Sequence, residues 1–364
     1  MSVVPPGAKR PWLFEAFPGL QEQLPWTPLV QAPTPVHRLE RISSLLGKEV
    51  WIKRDDKTSS EYAGNKPRKL EFLLGEALAK NRKKVVTGGG VGTNHGLATA
   101  IFGKKLGLAV TLGLFDQPVT AHVRNNLLLY QAFGAEMKYM GSALKAALRY
   151  YLIEKVRQRS AYQVPLGGSC PLGALGYVDA GLEFAAQVMR KEGPLPQIIF
   201  VAVGTCGTMA GLVLGLRLSG LSMRVEGVQV APRAFANPKA LLRLARKSLK
   251  LMQRLDASVP DVQLNLADFP VERGHYGAGY GHPTLACREA IQIMGESEGI
   301  FLDPTYTGKT FGALLARVRS EPGQGPVLFW NTLSSVDLAP AAQNVDFRSL
   351  PAVFHRFFEC ALVE

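Results

Sequence analysis

Lys66 stands in the run Glu61-Tyr-Ala-Gly-Asn-Lys-Pro-Arg-Lys69, behind a Gly-Asn turn and at the start of a helix-period segment. An amine in that position can form a Schiff base with a carbonyl cofactor such as pyridoxal phosphate (PLP), provided the amine is neutral. Neutrality requires a lowered pKa, supplied by desolvation or by neighbouring positive charge, and Arg68 and Lys69 are the expected source of that charge. A solvated lysine in a basic loop is the ordinary alternative, because most lysines are surface groups. Other segments of the chain decide between the two.

Val201-Ala-Val-Gly-Thr-Cys-Gly-Thr-Met-Ala-Gly211 follows an apolar strand and opens a helix. The backbone amides of Gly204, Thr205, Cys206, Gly207 and Thr208 can converge there on a phosphate, with the two threonine hydroxyls as added donors. A tight strand-to-helix turn without ligand is the plainer alternative, and neither a Walker loop nor a GxGxxG fingerprint is present. Thr87-Gly-Gly-Gly-Val-Gly-Thr-Asn-His95 also follows a strand and opens a helix, so Thr93, Asn94 and His95 are candidates to grip an amino-acid carboxylate. Asn94 as a simple helix cap and His95 as a first-turn surface residue are the corresponding structural readings.

The elements that must position these groups alternate between apolar β-branched runs and helix-period segments, the pattern of an α/β fold with parallel strands and crossover helices. Strands are predicted at 49–53, 84–88, 108–114, 197–203, 224–230 and 326–330. Helices are predicted to start near Lys66, Asn94, Ala121, Ala174, Thr208, Pro238, Thr284 and Lys309. Segments 192–196 and 320–326 read as surface loops.

With 364 residues, 47% of them hydrophobic, the chain can bury a large core divided between two lobes. No apolar run approaches the roughly 20 residues that cross a bilayer, and prolines interrupt the opening seventeen residues where a signal peptide needs an apolar core, so a cytoplasmic location is expected. Cys170, Cys206, Cys287 and Cys360 lack CxxC spacing, which argues against a zinc site and for reduced thiols. The formal charge of +13 raises the question of nucleic acid or membrane binding. Its densest run, 239–255, places Arg243, Lys247, Lys250 and Arg254 on one helical face and Leu242, Ala245, Leu249 and Met252 on another. The expected outcome is a surface helix on the core, with neither partner.

Taken in order, these motifs resemble the fold type II PLP enzymes (tryptophan synthase β-like), and among them the branch of D-cysteine desulfhydrase and 1-aminocyclopropane-1-carboxylate (ACC) deaminase. The resemblance runs through Thr34-Pro-Val-His-Arg-Leu39, Ile52-Lys-Arg-Asp-Asp56, Gly64-Asn-Lys-Pro-Arg-Lys-Leu-Glu-Phe-Leu73, Thr93-Asn-His95, Gly167-Gly-Ser-Cys-Pro-Leu-Gly-Ala-Leu-Gly-Tyr177, the Gly204 loop, Gly279-Tyr-Gly281 and Leu302-Asp-Pro-Thr-Tyr-Thr-Gly-Lys309. It implies that Lys66 carries PLP and moves a proton at the substrate α-carbon. Lys69 and the 204–208 loop would hold the phosphate, Asn94 the phenolic oxygen, and Thr93 with its neighbours the substrate carboxylate. Tyr280 and Tyr306 would serve as acid, base or orienting groups, with half-buried packing as the plainer role.

The resemblance also implies two lobes, each a mostly parallel sheet with flanking helices: a large cofactor-binding domain of 1–66 and 178–364 and a small domain of 67–177, assembled as a homodimer. ACC deaminases carry Glu after the family tyrosine and Leu near the ring nitrogen. Thr307 and Thr332 stand here, as in D-cysteine desulfhydrases. The expected reaction is therefore β-elimination from D-cysteine to pyruvate, ammonia and sulfide, with ACC deamination or another β-substituted amino-acid lyase as alternatives. A non-catalytic PLP-binding protein is the alternative of a different class. Three departures lie near the cofactor: Thr93 for serine, expected to narrow the carboxylate pocket; Thr332-Leu-Ser-Ser335 for Thr-Gly-Gly, expected to add bulk and hydroxyls beside the ring; and Ala63 for glycine.

Overall fold

The computed structural model of the chain describes residues 10–143, 160–321 and 325–363. Part of the loop expected at 320–326 lies outside them. The fold is α/β, built on two sheets. Strands β1 (Val36–Arg38), β2 (Val50–Lys53), β3 (Lys84–Gly90), β4 (Ala109–Phe115), β5 (Glu136–Gly141), β6 (Tyr162–Gln163), β7 (Ile198–Val203), β8 (Arg224–Gln229), β9 (Val271–Glu272) and β10 (Val327–Trp330) form a six-stranded sheet, β1-β2-β10-β7-β8-β9, and a four-stranded sheet, β5-β4-β3-β6. All neighbouring pairs are parallel except β1 with β2. The six expected strands are present within one or two residues. The additional ones are short edge or flank strands whose patterns are too brief or too polar to stand out.

The central strands of the larger sheet are apolar throughout because both of their faces are covered. In β7, Ile199, Val201 and Val203 enter a core with helices Pro171–Met189, Gly207–Leu218 and Pro238–Leu255, whereas Phe200 points to the opposite core with helices Leu285–Glu298 and Thr307–Ser320. Leu328 and Trp330 against Val327 and Phe329 repeat the alternation in β10. The basic helix packs as a surface helix through Leu241, Ala245, Ser248, Leu249 and Met252. Leu242, assigned from the sequence to the buried face, is instead half-exposed beside Arg243 and Lys247; the buried stripe runs through Leu241.

The smaller sheet has its own core, with Leu70, Leu73, Leu74 and Ala77 of helix Asn65–Ala79 and with Leu97, Ile101, Leu127 and Tyr130. The end of the chain departs from the expected division, because Ala342, Leu350, Phe354 and Phe357 pack into this smaller cluster. Their apolar side chains cover a face that would otherwise meet water. No helix of the described residues is long and apolar enough to cross a membrane.

Parallel strands of an open sheet deliver their following loops to one edge, where ligands bind beyond the carboxyl ends. Here β2 leads to Arg54–Asp56, β3 to Thr93–Asn94, β7 to Gly204–Thr208 and β10 to Asn331–Thr332. Four separate segments of sequence are therefore delivered to the carboxyl ends of the two sheets.

Candidate active site

Lys66 is the second residue of helix Asn65–Ala79 and is half-buried. Its approach depends on Gly64, whose φ is +85° and whose hypothetical Cβ would lie 2.5 Å from the Thr332 carbonyl oxygen. That carbonyl accepts the Asn65 N–H at 3.2 Å, so the lysine-bearing turn and the end of β10 are joined backbone to backbone. A Gly64→Ala protein should lose about 1–3 kcal/mol of stability from the strained conformation and should separate Lys66 from Thr332. Denaturant unfolding and PLP retention on gel filtration check both effects.

Burial lowers the Lys66 pKa to about 8, against the opposing pull of the Asp303 carboxylate. The positive charge expected from Arg68 is not the cause. Arg68 turns away into a buried network, donating to Asp55 Oδ1 at 2.8 Å and Glu183 Oε2 at 2.9 Å, and these two carboxylates neutralise it. Only the neutral amine attacks a carbonyl, so capture of PLP by apoprotein should accelerate about tenfold per pH unit below the amine's pKa and level off above about pH 8. The visible absorption of the lysine-linked cofactor follows that rate. A flat profile from pH 6 to about 9 would contradict a titrating Lys66.

Lys69 lies one turn further along and is buried, its ammonium 3.2 Å from the Gly167 carbonyl oxygen and within reach of Gly207. No carboxylate pairs with it among the described residues. Burial, then the Lys66 charge, holds its pKa well below the usual value, so the site is short of an anion. The 204–208 loop supplies the other half of the cradle. Helix Gly207–Leu218 begins without a side-chain cap, and the space over Gly204 is open. Thr205 and Ser169 hydroxyls meet at 2.7 Å, Gly207 N–H donates to Ser169 Oγ at 3.1 Å, and Asn65 Nδ2 donates to Thr208 Oγ1 at 3.0 Å. Cys206 contributes backbone only, since its thiol points to the Phe235 carbonyl. A cation without a carboxylate partner, an uncapped helix start and an open cradle fit a phosphate group.

Thr93 caps helix Asn94–Lys105 by accepting the Gly96 N–H at 3.3 Å, which leaves its own hydroxyl proton free to donate. Its extra methyl packs against Gly89 and Gly96, whose missing side chains make the room. The expected narrowing of the carboxylate pocket is therefore corrected. Asn94 Oδ1 is held by His122 Nε2 at 2.8 Å and Asn126 Nδ2 at 3.2 Å, so the Asn94 amide NH2 faces the other way as a donor suited to a phenolic oxygen. His95 is not the surface residue of the plainer reading. Its ring is buried, neither nitrogen has a hydrogen-bond partner among the described residues, and burial followed by Lys66 and Lys69 holds its pKa well below the ordinary value, so it is neutral.

On the opposite wall, the Tyr280 and Tyr306 hydroxyls touch, with ring centroids 6.0 Å apart. Burial raises both phenols. Asp303, not singled out in the sequence, fixes Tyr306: its carboxylate accepts the N–H groups of Thr305, Tyr306 and Thr307 at 2.9–3.0 Å and the Thr307 hydroxyl at 2.6 Å. Tyr62 is a third phenol near Asp303 and Tyr306, raised by burial. The Ser334 and Ser335 hydroxyls do not crowd the cofactor space as expected. Ser334 accepts the Ala63 N–H at 3.0 Å and Ser335 donates to the Asp56 carbonyl, so both pin neighbouring loops.

A buried network supports these groups. Lys53 donates to Glu183 at 2.5 Å, Tyr177 and Trp330 donate to Asp55 Oδ2 at 2.7 and 2.8 Å, and Thr34 bridges Asp55 and Glu183. Two cations face two carboxylates, all without solvent.

The profile of the family described as "pyridoxal-phosphate dependent enzyme" matches residues 28–332, spanning every one of these segments up to Thr332. The chain belongs to the pyridoxal-phosphate dependent enzymes. This PLP enzyme is 34% identical over 320 residues to a D-cysteine desulfhydrase of Salmonella schwarzengrund (strain CVM19633), a match covering 85% of this chain and 94% of the relative. An ACC deaminase homologue of solved structure has 32% identity and a TM-score of 0.75, covering 89% and 95% of the two chains. A T.th. threonine deaminase, at 20% identity and a TM-score of 0.59 over 90% and 98%, shares the fold. Both neighbours agree with a fold type II architecture. In this PLP enzyme the phosphate would rest on Lys69, Ser169 and the 204–208 loop, and the aldehyde carbon would meet Lys66. When bound, PLP stabilises negative charge developing at the substrate α-carbon.

Proposed function

We propose that this PLP-dependent enzyme is a lyase of small β-substituted amino acids that removes the β-substituent, with D-cysteine as the leading substrate: D-cysteine and water give pyruvate, ammonia and hydrogen sulfide. The observation that carries the reading is the choice of hydroxyl for the ring nitrogen. Thr307 is committed to Asp303, donating to its carboxylate and accepting its N–H at 2.8 Å, whereas the Thr332 hydroxyl has no partner among the described residues and belongs to the residue whose carbonyl is joined to the Lys66 turn. A hydroxyl partner leaves the ring near neutral, a weaker electron sink that suffices to expel a good leaving group such as sulfide. Opening an unactivated cyclopropane asks for more. The desulfhydrase relative supports the same substrate class.

In this reading Thr93 and the first amides of its helix bind the substrate carboxylate, and Asn94 orients the ring. Lys66 Nζ, once displaced by the substrate amine, takes the proton from Cα. The Tyr280–Tyr306 pair holds a proton at the leaving sulfur, since burial keeps both phenols protonated.

The reading further takes the larger sheet with 1–66 and the chain from 178 up to the C-terminal aromatic segment as the cofactor lobe, 67–177 together with that segment as the smaller lobe, and a cytoplasmic homodimer as the working form. Exposed Leu45 and Phe301, on segments joined by the Ile42–Glu298 bond, support a second copy there. Parallel incubations with D-cysteine, L-cysteine and ACC, read for sulfide, pyruvate and 2-oxobutyrate, test the function. Sulfide and pyruvate from D-cysteine in equal amounts are expected. 2-Oxobutyrate from ACC at a higher kcat/KM would move the assignment to the deaminase.

A further inference from the structure

The Tyr280 loop is rich in glycines of unusual backbone conformation. Gly277, Gly279 and Gly281 all have positive φ, at 67°, 153° and 80°. Such a glycine-rich loop has many accessible conformations, and the Tyr280 hydroxyl must nevertheless arrive at Tyr306. The tether is Lys309. It is completely buried, its ammonium donates to the Tyr276 carbonyl at 2.6 Å and to the Gly279 carbonyl at 3.0 Å, and it lies 5.2 Å from the centroid of the Tyr276 ring.

No carboxylate forms an ion pair with Lys309 among the described residues. The Asp303 oxygens in its vicinity are committed to the start of the Thr307–Ser320 helix. Burying an ammonium on carbonyl oxygens alone carries a desolvation cost that an apolar side chain of the same length would avoid. The position of Lys309 accounts for that cost. It sits one turn beyond Tyr306, the N-cap residue of the Thr307–Ser320 helix, so a single helix start presents one phenol and grips the loop that carries the other.

We propose that Lys309 is a positioning residue, whose ammonium clamps the Tyr276 and Gly279 carbonyls and thereby sets the Tyr280 phenol against Tyr306. The catalytic consequence rests on the role given to the tyrosine pair above; the clamp itself does not. Wild-type holoenzyme, Lys309→Met, Tyr280→Phe and the double variant are compared on D-cysteine, and amide hydrogen exchange is followed over residues 276–282. Lys309→Met is expected to keep its PLP band and to exchange these amides at least about tenfold faster. Its kcat should fall by roughly ten- to a hundredfold with KM within about threefold, because the phenol is misplaced while substrate contacts remain. In the Tyr280→Phe background the same substitution should add less than about twofold, since the group it positions is gone. Lys309→Arg should recover part of the rate.

Unchanged exchange at 276–282, or equal losses in both backgrounds, would overturn the proposal. Should Lys309→Met fail to fold, Lys309→Gln, which keeps a donor at shorter reach, carries the same comparison. If wild-type enzyme leaves D-cysteine untouched, the functional reading falls, and the exchange measurement still decides the clamp.

Discussion

Lys66→Ala should abolish the visible band of lysine-linked PLP and lower turnover by at least about 10³-fold, while the protein still binds the cofactor non-covalently. The size follows from two roles lost at once: the amine that holds the aldehyde carbon and the base that takes the α-proton. Retention of cofactor follows from the independence of the phosphate cradle, where Lys69, Ser169 and the 204–208 loop stand apart from the Lys66 amine. Absorption and steady-state rates of the purified variant, loaded with PLP, check both parts. Turnover within tenfold of wild type would remove Lys66 from the chemistry.

The largest stability effect is expected at Arg68. Arg68→Met leaves Asp55 and Glu183 buried with Lys53 as their remaining cation, and breaking one partner out of such a network costs about 3–5 kcal/mol. By contrast, Lys80→Met at the partly exposed pair with Glu76 should change stability by less than about 1 kcal/mol. The network also sets an acid limit. Burial alone would raise Glu183, but Arg68 and Lys53 outweigh it and bring its pKa to about 2, below the ordinary 4.5. A depressed carboxylate contributes stability that is present above 4.5 and is lost as pH falls toward 2. Urea unfolding of both variants at neutral pH, and of wild type from pH 6 downward, measures these effects. An Arg68→Met loss below about 1 kcal/mol would show that the network does not hold the fold as described.

What can be read from the sequence depends on whether the relevant spacing is local. Lys66 behind its Gly-Asn turn, the Gly204 loop and the Thr93 cap each lie within a few residues of the helix start that positions them, so their placement follows from short patterns. His122 and Lys309 act on Asn94 and the Tyr280 loop by contacts that only folding creates; His122 reaches Asn94 across 28 positions. Arg68 departs from expectation for the same reason. Its neighbours in sequence suggest a charge beside Lys66, but its partners, Asp55 and Glu183, come from 13 and 115 positions away. The departures are accommodated by small or backbone neighbours, Thr93 by Gly89 and Gly96 close in sequence and Ser334 by the distant Ala63 N–H. The C-terminal aromatic segment follows the smaller sheet because apolar burial, not chain order, decides where a tail packs.

Lys66, half-buried, and Lys69, buried, lie one turn apart with lowered pKa values, and the proposed mechanism gives them different tasks: Lys66 the aldehyde and Lys69 the phosphate. The direct test is to reduce the holoenzyme with borohydride, digest it and locate the pyridoxyl group by mass spectrometry. A single modified lysine, Lys66, is the predicted result. A pyridoxyl group on Lys69, or spread over surface lysines, would contradict that division of tasks.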